Sequence, residues 1–173
     1  MRAFLGFSVA DGLALELMDL RDRAVRTLAG AEPRPVIAAN FHMTLTFLGD
    51  IDSGRAADIG MRMDALAPQL QPCQVQFRQA HCFPDATSSV FAVEAPLNEG
   101  LSRLQRRVLR TLGQPEAQPL RPHITLARLR RAYVPAPQWP VDLVFSATEL
   151  CFYESVQSQW GVRYRPIRRW ALG

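Results

Sequence analysis

Residues 41–49 read FHMTLTFLG, and residues 121–128 read RPHITLAR. The two stretches share the pattern His-x-Thr-Leu, which begins at His42 and again at His123, 81 residues further along the chain. This separation is close to half of the 173-residue chain. A motif repeated at half the chain length predicts two structurally related lobes, each of which contributes one copy.

Each copy lies at the start of a predicted strand, and side chains two residues apart in a strand point to the same face. His42, Thr44 and Thr46 are therefore predicted to share one face of the first strand. His123 and Thr125 share a face of the second strand in the same way. The opposite face of the first strand is predicted to enter the core, with Phe41, Met43, Leu45 and Phe47.

Two such strands facing each other would form a cleft with two imidazoles and two hydroxyls. The ordinary pKa of histidine is about 6.5, so one ring can accept a proton while the other donates one. This pair suits attack of water on phosphorus, with Thr44 and Thr125 donating hydrogen bonds to phosphate oxygens. Arg128 could neutralise developing charge, but ideal alternation puts it on the wrong face unless the strand bulges or ends there.

A metal site is the competing interpretation of the two histidines. Zinc requires three or four ligands, and no Asp, Glu or Cys lies at ligand spacing beside either motif. His81 is not adjacent in sequence to either copy and is predicted to be structural. The cysteines form no CxxC pair and fit a reducing cytosol: Cys73, Cys82 and Cys151.

The charge of the chain favours an anionic partner. All 20 basic residues are arginine, and the net charge is +4, divided as −2 over residues 1–86 and +6 over residues 87–173. Arginine suits phosphate, although the codon bias of a GC-rich genome is the better explanation of the absence of lysine. The arginines around His123 and in the closing strand predict that the lobe carrying His123 supplies most of the positive field.

The predicted elements mix helices and strands without regular βαβ alternation. This pattern indicates an α+β fold with largely antiparallel sheets. With 48% hydrophobic and 21% charged residues, the chain is neither disordered nor a coiled coil. No stretch approaches the 18 consecutive apolar residues of a membrane span. Strands are predicted over residues 2–9, 41–48, 74–83, 88–95, 123–129, 143–153 and 162–170, and helices over 11–28, 55–66 and 99–112, with Asp11 and Asn98 as the caps of the first and third helices.

With both motifs in view, the chain resembles the two-histidine (2H) phosphoesterase superfamily, and within it the bacterial RNA 2′,3′-cyclic phosphodiesterase family, also called 2′-5′ RNA ligase. Residues 2–7 resemble its opening strand and residues 150–164 its closing hairpin. The resemblance implies a bilobal, pseudo-twofold α+β fold with two mainly antiparallel sheets flanked by helices around a central cleft. Residues 1–173 would form a single domain of two intertwined lobes.

The resemblance also implies the activity: hydrolysis of RNA 2′,3′-cyclic phosphodiester ends to 2′-phosphomonoesters, with 2′-5′ ligation as the reverse reaction. His42 would be the general acid and His123 the general base, while Thr44, Thr125 and Arg128 would hold the phosphate. No metal and no cofactor are implied. The expected partners are RNA ends or tRNA fragments bearing a 2′,3′-cyclic phosphate, and no membrane partner is expected. The protein is expected to be a monomer in the cytoplasm.

Two alternatives remain open at this point. A non-catalytic RNA-binding module would use the basic second half, and an enzyme with the same chemistry would act on a small cyclic nucleotide or a 2′-5′ oligonucleotide. For base stacking, Phe47 is assigned to the core by its parity. The preferred stacking candidates are Tyr133, Trp139 and Tyr153.

Overall fold

The structure, a computed structural model, describes residues 1–116 and 119–173, which form strands and three α-helices. The strands are β1 (Arg2–Ser8), β2 (Arg34–Pro35), β3 (His42–Asp50), β4 (Cys73–Phe83), β5 (Val90–Glu94), β6 (His123–Arg128), β7 (Gln138–Ala147), β8 (Glu149–Ser158) and β9 (Gly161–Ala171). The α-helices are α1 (Asp11–Thr27), α2 (Ser53–Leu66) and α3 (Glu99–Leu112).

The strands form two sheets, each of which contains one motif strand. The His42 sheet has the order β3-β1-β8-β9, and the His123 sheet has the order β2-β6-β5-β4-β7. All neighbouring strands run antiparallel. The predicted α+β class with mainly antiparallel sheets is confirmed.

The two halves of the sequence do not correspond to the two sheets. β8 and β9, from the second half, complete the His42 sheet, whereas β4 and β5 pair with the second motif strand in the His123 sheet. The single strand predicted over residues 143–153 is wrong, because the chain changes sheet at Thr148, between β7 and β8. No Gly or Pro stands between Leu143 and Tyr153, so no turn residue marked the break in the sequence.

Side-chain caps begin two of the described α-helices, α2 and α3, whereas α1 begins without one. Asn98 Oδ1 accepts the Leu101 N–H at 2.9 Å, and Gly113 ends the same helix with a φ of 64°, so the predicted cap and the bounds of α3 are confirmed. Asp11, predicted to cap α1, is instead its first residue. Buried side chains of both sheets and all three helices form one apolar cluster, including Leu17, Ile59 and Leu104.

The first His-x-Thr-Leu strand contains an extra residue within its motif, the leucine; a second pairing irregularity lies further along the strand, at Leu48. Leu5 of β1 lies opposite Thr46, and the next residue, Gly6, lies opposite Thr44. The pairing therefore passes over Leu45, whose side chain is buried. A β-bulge of this kind changes which face the following residues occupy.

The second motif strand bulges at the same place. Phe91 of β5 lies opposite Ala127, and the next residue, Ala92, lies opposite Thr125. Here the pairing passes over Leu126, which is also buried. The two motifs thus share a backbone irregularity as well as a sequence.

The bulges turn the residue five positions after each histidine toward the cleft. In the second motif this residue is Arg128, whose required bulge is present. In the first it is Phe47, which lies opposite Phe4 and is 69% exposed. The prediction of Phe47 in the core is wrong, as is that of Thr46 on the histidine face, because strict alternation does not continue through the bulge.

Gly6 is required by the close approach of β1 to the first bulge. A Cβ at this position would lie 2.7 Å from the Met43 carbonyl oxygen and 3.3 Å from the Thr44 Cα. Both are backbone atoms and cannot rotate away. A side chain at Gly6 must therefore displace the strand that carries His42.

The variant Gly6→Ala is expected to lower the free energy of unfolding by about 1–3 kcal/mol, the usual cost of overpacking. Gly12→Ala is the matched control, because a Cβ at Gly12 meets nothing within 4 Å and alanine favours the helix by up to about 1 kcal/mol. Urea unfolding measures both. Equal stability of the two variants would contradict the assigned close approach.

Candidate active site

Both motif strands border one cavity of about 1120 Å³. The side chains predicted for the site all line it: His42, Thr44, His123, Thr125 and Arg128. The sheets thus bring together two imidazoles, two hydroxyls and a guanidinium from segments 81 residues apart. Their roles in chemistry remain predictions.

The two imidazoles are oriented in the same way. Nδ1 of His42 donates to the Asn40 carbonyl at 2.7 Å, and Nδ1 of His123 donates to the Arg121 carbonyl at 2.8 Å. A carbonyl oxygen only accepts, so each Nδ1 carries a hydrogen. Each neutral ring therefore keeps the lone pair of Nε2 for proton transfer.

The residues that supply these carbonyls are themselves anchored by their side chains. Asn40 Nδ2 donates to the Val162 carbonyl at 2.8 Å, and Asn40 Oδ1 accepts the Tyr164 N–H at 3.2 Å. Arg121 donates to both carboxylate oxygens of Glu94, at 2.8 and 2.9 Å. Sequence reasoning missed both anchors, although each lies two residues before a motif histidine.

Aromatic rings pack against each imidazole. The Phe4 and Tyr164 rings lie 4.8 and 4.7 Å from the His42 ring, and the Phe83 ring stacks on His123 at 4.0 Å. The Arg121 guanidinium covers Phe83 at 4.7 Å. These contacts hold the rings in place and desolvate them, and no sequence pattern indicated them.

Burial makes both histidines weaker bases than free imidazole. Desolvation lowers the pKa of His42 to about 4; the bond to Asn40 opposes this, and the charges of His123 and Arg128 add to it. Desolvation also lowers the pKa of His123, opposed by its backbone bond and by Glu94. In the free protein at pH 7, His42 is therefore neutral.

Glu94 lies beneath the second histidine, opposite it in the β5–β6 pairing. Besides Arg121, its carboxylate faces His81, whose buried Nε2 lies 3.6 Å from Glu94 Oε2 and has no hydrogen-bond partner among the described residues. His81 itself lies on β4, outside the cavity lining. The support of His123 thus runs from Glu94 through Arg121, and His81 makes no hydrogen bond to Glu94.

The variant Glu94→Gln is expected to lower the pKa of His123, because a carboxylate stabilises the imidazolium and its loss leaves the Arg121 charge uncompensated. The midpoint of the His123 imidazole in an NMR titration should therefore move to lower pH. Glu154→Gln removes the partner of Arg165 on the His42 sheet and should leave the His123 midpoint in place. An unchanged or raised midpoint in Glu94→Gln would contradict this prediction.

The permanent charges in the described cavity lining all belong to arginines: Arg2, Arg34, Arg128 and Arg163. Arg2 and Arg163 belong to the His42 sheet, so the prediction that the His123 lobe supplies most of the field is wrong. None of the four forms an ion pair with a described residue. The arginines counted toward that prediction are mostly ion-paired elsewhere: Arg121, Arg130, Arg131, Arg165, Arg168 and Arg169.

Arg34 and Arg128 lie directly opposite each other in the β2–β6 pairing. Like charges in this position repel, and a shared anion would relieve the repulsion. Both residues line the cavity beside Thr125. This part of the cleft is therefore suited to a phosphate group.

The three preferred stacking candidates do not line the cavity. Tyr133 and Trp139 pack against the apolar core, and Tyr153 is buried beside Phe4. The exposed aromatic side chains of the lining are instead Phe47 and Trp160, which are 69% and 81% exposed. Parity and composition misassigned Phe47, and Trp160 lies in a hairpin turn that carries no motif.

Within residues 1–116 and 119–173, no three His, Cys, Asp or Glu side chains cluster in a way that could hold a metal ion. The helices in the same part of the chain are all too short or too polar to cross a membrane. The three cysteines are free thiols, of which Cys82 and Cys151 are buried.

Known proteins are similar to this chain in sequence and in fold. The family model described as 2′-5′ RNA ligase superfamily matches residues 15–157. An RNA 2′,3′-cyclic phosphodiesterase from Aeropyrum pernix is 32% identical over 123 residues, 67% of either chain. TT0787 of Thermus thermophilus superposes with a TM-score of 0.83 at 24% identity, covering 99% of this chain and 98% of that one. Escherichia coli LigT in its apo form gives 0.77 at 24% identity, with 99% and 96% covered. The chain therefore belongs to the 2′-5′ RNA ligase superfamily, as the paired His-x-Thr-Leu motifs predict.

Proposed function

We propose that this protein hydrolyses RNA 2′,3′-cyclic phosphodiester ends to 2′-phosphomonoesters. One observation carries the proposal: two imidazoles with the same tautomer meet in one cavity whose fixed charges are all positive. The named relative from Aeropyrum pernix supports the same substrate class. The reverse reaction would join a cyclic-phosphate end to a 5′-hydroxyl, and abundant water favours hydrolysis.

In the proposed reaction, Nε2 of His123 takes a proton from water as it attacks phosphorus. His42 donates a proton to the departing 3′ oxygen, which leaves the phosphate on the 2′ oxygen. Thr44 and Thr125 donate hydrogen bonds to the non-bridging oxygens. Arg128 stabilises the negative charge that these oxygens gain in the transition state.

The pKa of His42 bears on this assignment. A ring that is neutral in the free protein becomes a usable acid when the anionic phosphate arrives, because a negative charge beside an imidazole raises its pKa. The strongly lowered pKa of His42 also favours a second assignment, in which His42 is the base and His123 the acid. A substrate whose leaving group needs no proton distinguishes the two.

Further properties of the protein belong to the proposal. The chain acts as one domain of two intertwined lobes, uses no metal or cofactor, and works as a monomer in the cytoplasm on RNA ends or tRNA fragments. The two sheets share one apolar cluster, which supports a single domain. Three free cysteines, two of them buried, fit a reducing compartment.

Product analysis on an RNA that ends in a 2′,3′-cyclic phosphate tests the activity. The expected product is a 2′-phosphate, formed equally well in the presence of EDTA. A 3′-phosphate product would reverse the assumed leaving group, and inhibition by EDTA reversed by zinc would support a metal enzyme. Salt-sensitive RNA binding without any cleavage would favour a non-catalytic binding module.

A further inference from the structure

The cavity extends well beyond the motif side chains, along the His42 sheet toward the β8–β9 hairpin. Tyr153 of β8 lies opposite Phe4, so Gln157, four residues further on, lies about 13 Å past that point at 3.3 Å per residue. Gln157 and Trp160 both line the cavity. Its volume exceeds the range of about 300–1,000 Å³ that suits a single small ligand.

The positive charges of this extension are not needed by a cyclic phosphate at the motifs. That group carries one negative charge, and Arg34 and Arg128 already lie together on the His123 sheet. Arg2 begins β1, six residues before Ser8, which lies opposite His42. Arg2 is therefore placed for a different anion.

Strand β9 shows the same distinction among its own arginines. Arg165, Arg168 and Arg169 are paired with Glu154, Asp64 and Glu149 respectively. Arg163 lies on the same strand, forms no ion pair with a described residue and is the one arginine of β9 in the cavity lining. The strand neutralises its arginines except where it borders the cleft.

An aromatic ring stands beside these charges. Trp160 occupies the turn between β8 and β9 and is 81% exposed, while its backbone N–H is held by Ser158 Oγ at 3.2 Å. Exposed aromatic rings next to positive charges are the usual platform for unpaired bases, which stack while the phosphates are neutralised. No acidic side chain among the described residues borders the cavity.

We propose that the β8–β9 hairpin and Arg2 form a subsite for the RNA strand on the 5′ side of the cyclic phosphate, which we call the upstream subsite. Arg2 and Arg163 bind internucleotide phosphates there, and Trp160 stacks on an unpaired base. The substrate class is thus single-stranded RNA of several nucleotides, in preference to a 2′,3′-cyclic mononucleotide. This inference rests on the proposed function, because it extends the same cleft.

The test compares kcat/KM for a pentanucleotide ending in a 2′,3′-cyclic phosphate with that for adenosine 2′,3′-cyclic phosphate. The native protein is expected to prefer the pentanucleotide at least tenfold. Trp160→Ala should reduce this ratio about tenfold, the loss of one stacked base. Arg163→Gln should reduce it as well and lessen the slope of log kcat/KM against log salt by about 0.7.

Arg165→Gln is the matched control, because Arg165 lies on the same strand, is paired with Glu154 and does not line the cavity. It should keep the native ratio and slope. Equal use of both substrates by the native protein, or an unchanged ratio in Trp160→Ala and Arg163→Gln, would overturn the upstream subsite.

Binding of the 2′-phosphorylated product strand separates this inference from the proposed function. The pentanucleotide 2′-phosphate should bind at least tenfold more tightly than adenosine 2′-phosphate, and Trp160→Ala should remove most of the difference. If neither cyclic substrate is hydrolysed but this difference is found, the proposed function fails and the upstream subsite stands. Hydrolysis of both substrates with equal binding of both products would overturn the subsite alone.

Discussion

Replacing His42 or His123 by alanine is expected to lower kcat for hydrolysis of a cyclic-phosphate RNA end by about 10²–10⁴-fold, the usual contribution of a general acid or base. Each ring presents a free Nε2 to the cleft, and no other described imidazole lines the cavity. Single-turnover rates measured at pH 7, with circular dichroism as a check of folding, give the result.

A substrate with sulfur at the 3′ bridging position assigns the two roles. A thiol has a pKa of about 8.5, whereas the bridging oxygen leaves as the anion of a group that resembles water, with a pKa near 15.7. The sulfur therefore leaves without a proton. His42→Ala should regain most of its activity on this substrate, and His123→Ala should not.

The third histidine provides the control. His81→Gln should keep kcat within a few-fold of the native value, because His81 lies on β4 outside the cavity. If His123→Ala regains activity on the 3′-sulfur substrate and His42→Ala does not, His123 is the acid, in keeping with the low pKa of His42. Near-native turnover in either alanine variant on the natural substrate would refute two-histidine catalysis.

The variant Arg128→Ala is expected to lower kcat by about 10²–10³-fold, the cost of removing one preorganised donor to a developing oxyanion. Arg128 reaches the cleft through the Leu126 bulge and lies opposite Arg34. Arg128→Lys should recover part of the loss, since it keeps the charge but not the planar fork. Pre-steady-state kinetics on the cyclic-phosphate RNA separates the chemical step from binding.

Arg130→Ala is the neighbouring control. Arg130 is ion-paired with Glu32 at 3.1 Å and does not line the cavity, so its loss should change kcat little. If Arg128→Ala raises KM and leaves kcat unchanged, Arg128 binds the substrate and the transition state equally and does not stabilise the transition state selectively. Equal losses in both variants would point to a general charge effect.

The motifs, the helices and the fold class were predictable because they follow from local patterns. Two His-x-Thr-Leu copies at half-chain spacing predicted two strands that face each other across a cleft, and the family they indicate is confirmed. Asn98 predicted the start of α3 because a cap is a contact within one turn. The histidines and threonines reached one cleft for the same reason, since alternation holds over the first three residues of each motif.

The parts that failed depend on pairing between distant strands. Alternation predicted Phe47 in the core, but the Leu45 bulge arises from how β3 pairs with β1, which no local pattern encodes. One signal was available: Phe47 and Arg128 occupy the same position after their histidines, so a bulge needed by one copy was a prediction for the other. The prediction about the positive field failed for the same reason. It assigned the second half of the sequence to the His123 lobe, but β8 and β9 of that half lie in the His42 sheet.

The central position of β1 in the His42 sheet has a consequence for synthesis on the ribosome. β1 pairs on one side with β3 and on the other with β8, so one of its hydrogen-bonding edges stays open until residues 149–158 have been translated. An unpaired apolar edge is the part of a nascent chain most prone to aggregation. Two aromatic partners of the His42 ring, Tyr153 and Tyr164, are likewise translated late, within and after β8. The nascent chain therefore carries its first motif for more than a hundred residues before it can complete the surroundings of that histidine.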